Sequence, residues 1–222
     1  MSRCYTQPFR ILNLYAGIGG NRQKWGNEHD ITAVELDPKI AAKYKELYPN
    51  DTVIVADAHQ YLLDHYKEFD FIWTSPPCPT HSDIRRMAAM QGQYDAMYPD
   101  FKLWQEITLL KHFSKCKYVI ENVKPYYEPI EKPTVEIDRH YFWTNFTVPT
   151  FKPVKREKVH QHISGTSKIF GYDLTKYSTQ ERKDKILRNM VNPEIGLHLF
   201  NRAFEIIDSK KVTQKSLFDA VS

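Results

Sequence analysis

Phe69-Asp70-Phe71-Ile72-Trp73-Thr74-Ser75-Pro76-Pro77-Cys78-Pro79-Thr80-His81-Ser82 runs from an aromatic and β-branched segment straight into a pair of prolines. Its first five residues read as a buried strand. The prolines therefore fall just past a strand end, where they fix φ and stiffen the turn. A cysteine on such a turn is presented at the carboxyl edge of a sheet, the edge at which open α/β folds hold their ligands. Cys78 is either a presented nucleophile or a small packed hydrophobe, as most lone cysteines are. The surrounding chain has to decide.

Upstream, Arg10-Ile11-Leu12-Asn13-Leu14-Tyr15 reads as a strand, and Ala16-Gly17-Ile18-Gly19-Gly20 follows it at once. Glycines there let the backbone turn sharply and approach a ligand closely. Ile31 to Glu35 is a second strand ending in an acid, placed to accept hydrogen bonds from ribose hydroxyls as in dinucleotide-binding folds. Asp37 and Pro38 then open a helix running to Tyr48. Thr52 to Val55 is a third strand ending at Ala56-Asp57, where a carboxylate could accept from an adenine amino group. A helix through Gln60 to Leu63 leads into the Pro-Pro-Cys strand.

Downstream, residues 83–99 lack clear periodicity and read as a long polar loop holding Arg85, Arg86, Gln91, Gly92, Gln93 and Tyr94. A helix starts near Asp100, with Leu103, Trp104, Ile107 and Leu110 at core spacing. Tyr118-Val119-Ile120 is a further strand, and it delivers Glu121-Asn122-Val123 to the edge that carries Cys78. Strands alternating with helices predict an α/β fold with a mostly parallel, doubly wound sheet. Arg139 to Phe146 reads as another strand, and a helix from Glu194 to about Ile207 returns to the first domain.

Across all 222 residues the net charge is only +4. It is unevenly spread: Lys152 to Arg188 holds ten Lys or Arg against four acids. Phe151, Phe170, Tyr172 and Tyr177 are interleaved with these cations, a mixture that suits phosphate contact and base stacking. The three cysteines, Cys4, Cys78 and Cys116, form no disulfide framework and no C-x-x-C metal motif. His160 and His162 have no cysteine nearby, so no metal is expected. No run approaches the roughly 20 apolar residues of a membrane helix. The expectation is a reduced, soluble, cytoplasmic protein.

Taken in order, these motifs resemble the DNA (cytosine-5) methyltransferase family, from Ile11 to about Phe204, in a small form such as phages and bacteria carry. Asn13 to Gly20 resembles the family's Asp-Leu-Phe-x-Gly-x-Gly-Gly, Pro77-Cys78 its nucleophile motif, and Glu121-Asn122-Val123 its catalytic Glu-Asn-Val. The resemblance implies a Rossmann-like S-adenosylmethionine-dependent enzyme that methylates carbon 5 of a flipped cytosine in double-stranded DNA. It implies Cys78 as nucleophile, Glu121 as acid and Arg139 as a base contact. Tyr15, Ala16, Gly17, Gly19, Gly20, Glu35, Leu36, Asp57, Ala58, Pro76, Asn189 and Val191 are then expected at the cofactor. Ser82, Arg85, Arg86, Lys155, Arg156 and Lys158 are expected at DNA. Residues 1–146 with 186–208 make the catalytic domain, 147–185 a short target-recognition region and 209–222 a tail. Gln214-Lys215-Ser216-Leu217-Phe218 resembles the peptide by which replication-associated proteins dock on the sliding clamp.

The departures from the family pattern are Asn13 for an acid, Pro79 for glutamine, and a Gln-x-Arg-x-Arg motif reduced to Arg139-His140-Tyr141. Three rival readings stay open at this point. Ser75-Pro76-Pro77 fits an amino-methyltransferase acting on cytosine nitrogen 4, although Cys78 stands where that chemistry needs an aromatic ring. An RNA cytosine-5 enzyme of the same architecture and a DNA-binding module that has lost catalysis are the others. The sequence leaves open a restriction-modification partner, an orphan and a phage-borne protein alike.

Overall fold

A computed structural model describes residues 8–153 and 190–205. Seven strands form one sheet: β1 (Arg10–Leu14), β2 (Asp30–Glu35), β3 (Thr52–Val55), β4 (Phe71–Thr74), β5 (Lys117–Val123), β6 (Val135–Ile137) and β7 (His140–Thr144). Their order across the sheet is β3-β2-β1-β4-β5-β7-β6. The first five run parallel, and β7 lies antiparallel between β5 and β6. The mostly parallel α/β sheet expected from the sequence is present. Among the described residues five α-helices accompany it: α1 (Pro38–Leu47), α2 (Ala58–His65), α3 (Asp83–Met90), α4 (Lys102–Phe113) and α5 (Pro193–Ala203).

Strand residues alternate between two cores, as a sheet covered on both faces requires. Ile11, Phe71, Trp73, Val119 and Phe142 pack with Trp25 and with Ile195, Leu199 and Phe200 of α5. Leu12, Leu14, Ile72 and Ile120 pack on the other face with Leu62 of α2 and Leu103, Trp104, Ile107 and Leu110 of α4. The expected core stripe of α4 is thus buried. Asp37 caps α1, accepting from Lys39 N at 2.7 Å and Ile40 N at 3.4 Å, with Pro38 at the first helical position.

Two expectations change. Residues 83–90 are not loop but α3, none of whose residues is buried. Glu121-Asn122-Val123 lies inside β5 rather than beyond it, because β7 extends the pairing: Glu121 stands opposite Phe142 and Asn122 opposite Tyr141. No helix among the described residues is long and apolar enough to cross a membrane. Residues 154–189 of the basic segment, with Lys155, Arg156, Lys158 and Asn189, and the Gln214–Phe218 peptide lie outside the described residues.

Candidate active site

The carboxyl ends of β1, β2, β3, β4 and β5 converge on one edge. The turn after β1 is held by the end of β2: Gly17 N donates to Glu35 Oε2 at 2.9 Å, and Asp37 N donates to Glu35 Oε1 at 3.0 Å. Both carboxylate oxygens are thereby oriented while each keeps a further lone pair for a hydroxyl. Gly17 has φ +55°, and a Cβ built there would meet nothing within 4 Å, so the turn opens onto free space. Its reverse side is closed. Tyr48 Oη donates to Gly19 O at 2.9 Å, and a Cβ on Gly19 would meet the Tyr48 ring at 2.4 Å. A Cβ on Gly20 would meet Met190 at 2.0 Å and Val191 O at 2.6 Å, so the segment leading into α5 crosses this glycine. Asp57 caps α2 by accepting from Gln60 N at 3.1 Å, and that bond, aided by Lys102, holds its carboxyl below the usual range. Leu36, 67% exposed, lies between the two acids in chain order. Ala58 is buried in the core beneath the edge.

The Pro-Pro-Cys turn is clamped to the strand beside it. Pro76 is buried, and its carbonyl accepts from Asn122 Nδ2 at 2.9 Å. The carbonyl of Cys78 accepts from His81 N at 3.0 Å and Ser82 N at 3.1 Å, closing the turn. Ser82 then bridges Pro125, and Tyr126 N donates to His81 O at 3.2 Å. The His81 imidazole, 1% exposed, meets the Tyr127 hydroxyl at 2.6 Å, and burial lowers its pKa toward the neutral form. Cys78 is a half-buried thiol that takes part in no disulfide. Register fixes the rest: Thr74 pairs with Ile120, so buried Glu121 is one residue past the end of β4. Ser75 Oγ accepts from Trp73 Nε1 at 2.9 Å.

Behind both halves sits Glu106 of α4, fully buried, which the sequence did not mark out. It accepts from Tyr15 Oη at 2.7 Å and Thr74 Oγ1 at 2.6 Å, and meets His59 Nδ1 at 2.9 Å. One carboxylate thus ties the ends of β1 and β4 and the start of α2. Hydrogen bonding to Glu106 raises the His59 pKa, and burial, with the charge of Glu106, raises that of Tyr15. A polar position within an apolar helix stripe, three residues after Leu103, was the available signal.

Arg139, the expected base contact, is exposed on the turn before β7. His140 Nε2 lies 3.4 Å from Glu121 Oε1. Arg85 stacks on Tyr94 at 3.6 Å, and Arg86 pairs with Asp83 at 2.7 Å while lying over Tyr126. Both line, with Pro79, Thr80 and Ser82, a cavity of about 250 Å³ beside the Cys78 turn. Among the described residues no cluster of three His, Cys, Asp or Glu side chains could hold a metal ion.

This arrangement meets its counterpart in sequence comparison. The family model described as C-5 cytosine-specific DNA methylase matches residues 9–138, more than half of the chain. The chain belongs to that family. A search of the curated proteins finds no match. Among solved structures, this C-5 cytosine-specific DNA methylase family member is similar to a conserved hypothetical protein of Streptococcus pyogenes, at 17% identity over 63% of this chain and 86% of that one, with a TM-score of 0.38. An S-adenosylmethionine-dependent methyltransferase of Agrobacterium tumefaciens is similar at 15% identity over 56% of this chain and 41% of that one, TM-score 0.38. A DNMT2 variant of Spodoptera frugiperda is similar at 23% identity over 52% of this chain and 35% of that one, TM-score 0.36.

Proposed function

We propose that the protein methylates carbon 5 of a cytosine turned out of double-stranded DNA. The observation that carries this reading is the clamp between the Cys78 turn and β5, through Asn122 and Pro76, which brings a half-buried thiol and a buried carboxyl to one sheet edge. S-adenosylmethionine fits the adjoining edge. Glu35 has lone pairs for the ribose, Leu36 offers an apolar surface and Asp57 an acceptor for the adenine, and the space above Gly17 leaves room for the chain. Tyr15, Pro76, Val191 and Asn189 complete the set. Bound there, the cofactor supplies an activated methyl group for carbon 5 to accept.

Carbon 5 of cytosine is too poor a nucleophile until the ring is activated. Addition of the Cys78 thiolate to carbon 6 makes carbon 5 enamine-like. Charge then builds toward ring nitrogen 3, where a protonated Glu121 donates, a contribution of about 10²–10⁴-fold for a positioned acid. Loss of the carbon-5 proton to solvent lets the sulfur leave. Because the thiolate must reach the ring face, the base leaves the stack. Arg85 and Arg86, with Ser82, face the phosphates from α3 and its turn, where exposed Ile84 and Met87 lie beside them. Arg139 contacts the base from the β6–β7 turn, and Lys155, Arg156 and Lys158 meet phosphates.

Nucleoside mass spectrometry after incubation with S-adenosylmethionine and unmethylated DNA, with RNA in parallel, tests this. The expected product is 5-methylcytosine in DNA, lost in Cys78→Ala while cofactor affinity is retained. 4-Methylcytosine would move catalysis to Ser75, label confined to RNA would overturn the substrate, and loss of cofactor binding in the variant would make Cys78 structural.

A further inference from the structure

The residues of β7 alternate between the two faces of the sheet, and the register with β5 decides which of them meet Glu121. Glu121 lies opposite Phe142, and His140, two residues along, shares that face. His140 Nε2 stands 3.4 Å from Glu121 Oε1, with side-chain exposures of only 9% and 10%. The Phe142 ring centre is 6.4 Å from the imidazole, and Ile137 is its partner across the β6–β7 pair. Asp138 and Arg139 are exposed on the turn, while Lys124 and Glu136 pair at 3.4 Å beside Tyr141, on the opposite face.

An acid that has to be protonated near neutral pH is poorly served by a carboxyl alone, whose ordinary pKa is about 4.3. An imidazole is the side chain that carries a proton in that range. We infer that His140 is a positioning residue that stores the proton Glu121 delivers to the base. The inference rests on the reading of Glu121 as the acid.

The pair holds one proton, as imidazolium beside carboxylate. As charge builds on the adjacent ring, the His140 Nε2–H bond breaks and a carboxyl O–H bond forms on Glu121. That O–H bond then breaks as the bond from hydrogen to nitrogen 3 forms, while the electron pair displaced by the new sulfur–carbon 6 bond settles on the ring. When the sulfur leaves, the proton returns from nitrogen 3 to Glu121 and on to His140. The pair consumes no proton over the cycle. The 3.4 Å separation is long for a charge-assisted bond, and such contacts tighten in the reacting complex.

The test compares kcat between about pH 5 and 9 for the full-length protein and His140→Gln, a side chain that hydrogen-bonds but does not titrate. Stored proton and acid together predict that His140→Gln loses about 10²-fold near neutral pH, where the imidazole carries its proton. It should regain activity as the pH falls toward the carboxylate range, with cofactor affinity unchanged throughout. A profile that overlays the wild type after scaling would overturn the inference, since a purely structural role lowers every pH point alike. Glu121→Gln keeps the two readings apart. Full activity in that variant would overturn Glu121 as the acid, whereas inactivity there with an unshifted His140→Gln profile would overturn His140 alone.

Discussion

Three glycines follow β1 within six residues, and two of them, Gly17 and Gly20, answer to different constraints. Gly17 has φ +55° and open space where a Cβ would stand, whereas Gly20 lies under Met190 and Val191. Gly17→Ala should therefore cost only about 1 kcal/mol of stability, the expense of a left-handed alanine. It should still abolish cofactor binding, because its methyl fills the space the ligand needs. Gly20→Ala forces a close contact with backbone and should cost about 1–3 kcal/mol. Urea unfolding and cofactor titration on both variants check this, and the reverse ranking would refute it. The sequence showed that glycines belong here but not why each one does. The Asp37-Pro38 helix start was legible in full, since a cap involves only neighbours. Glu106 was not, because its partners Tyr15, His59 and Thr74 are distant in sequence.

Among the elements, α3 was missed for a reason that can be stated. Eight residues without a buried side chain produce no usable apolar periodicity, yet the ends were written locally. Asp83 occupies the first turn, and Gly92, φ +72°, donates to Ala89 O at 2.9 Å as Gln93 N donates to Ala88 O at 3.0 Å. That is the paired closure of a Schellman motif, which the glycine announced. The β-branched and aromatic strands were found because their burial on both faces leaves near-continuous apolar runs. Their ends were less legible, and β5 reached further than its apolar residues because β7 pairs with Glu121 and Asn122. The join between β1, β4, α2 and α4 is made by Glu106. Glu106→Gln removes the charge and replaces one of the two acceptor oxygens with a donor, and should destabilise by about 3 kcal/mol. Because the folded-state pKa of His59 is raised by Glu106, that pair contributes fully below the unfolded value of about 6.5 and is lost as pH rises through the folded value. The stability gap between wild type and variant should narrow on raising the pH from about 6 to 9. A gap that widens over that range would show that the pair is not ionic.

At the scale of the whole molecule, residues distant in sequence enclose one site. The segment from Met190 crosses Gly20, Asn192 caps α5 by accepting from Glu194 N at 2.9 Å, and α5 then lies on the turn that follows the glycines. Contact there is very close. A Cβ on Gly196 would come within 2.3 Å of Asn21 O, Trp25 Nε1 donates to Gly196 O at 3.2 Å, and Lys24 pairs with Glu194. The returning helix expected from the sequence therefore forms the outer wall of the glycine turn as well as covering a core face. Its two ends should differ in consequence. Gly196→Ala has to push α5 away from Asn21, moving the glycine turn, and should weaken cofactor binding about tenfold together with a loss of roughly 1–3 kcal/mol in stability. Ala203→Gly, in the same helix but buried against the far side of the core, should cost about 1 kcal/mol through helix propensity and leave the cofactor affinity as it was. Calorimetric titration of both variants with S-adenosylmethionine distinguishes a wall from a cover, because equal affinities at unequal stabilities would mean that α5 only covers the sheet.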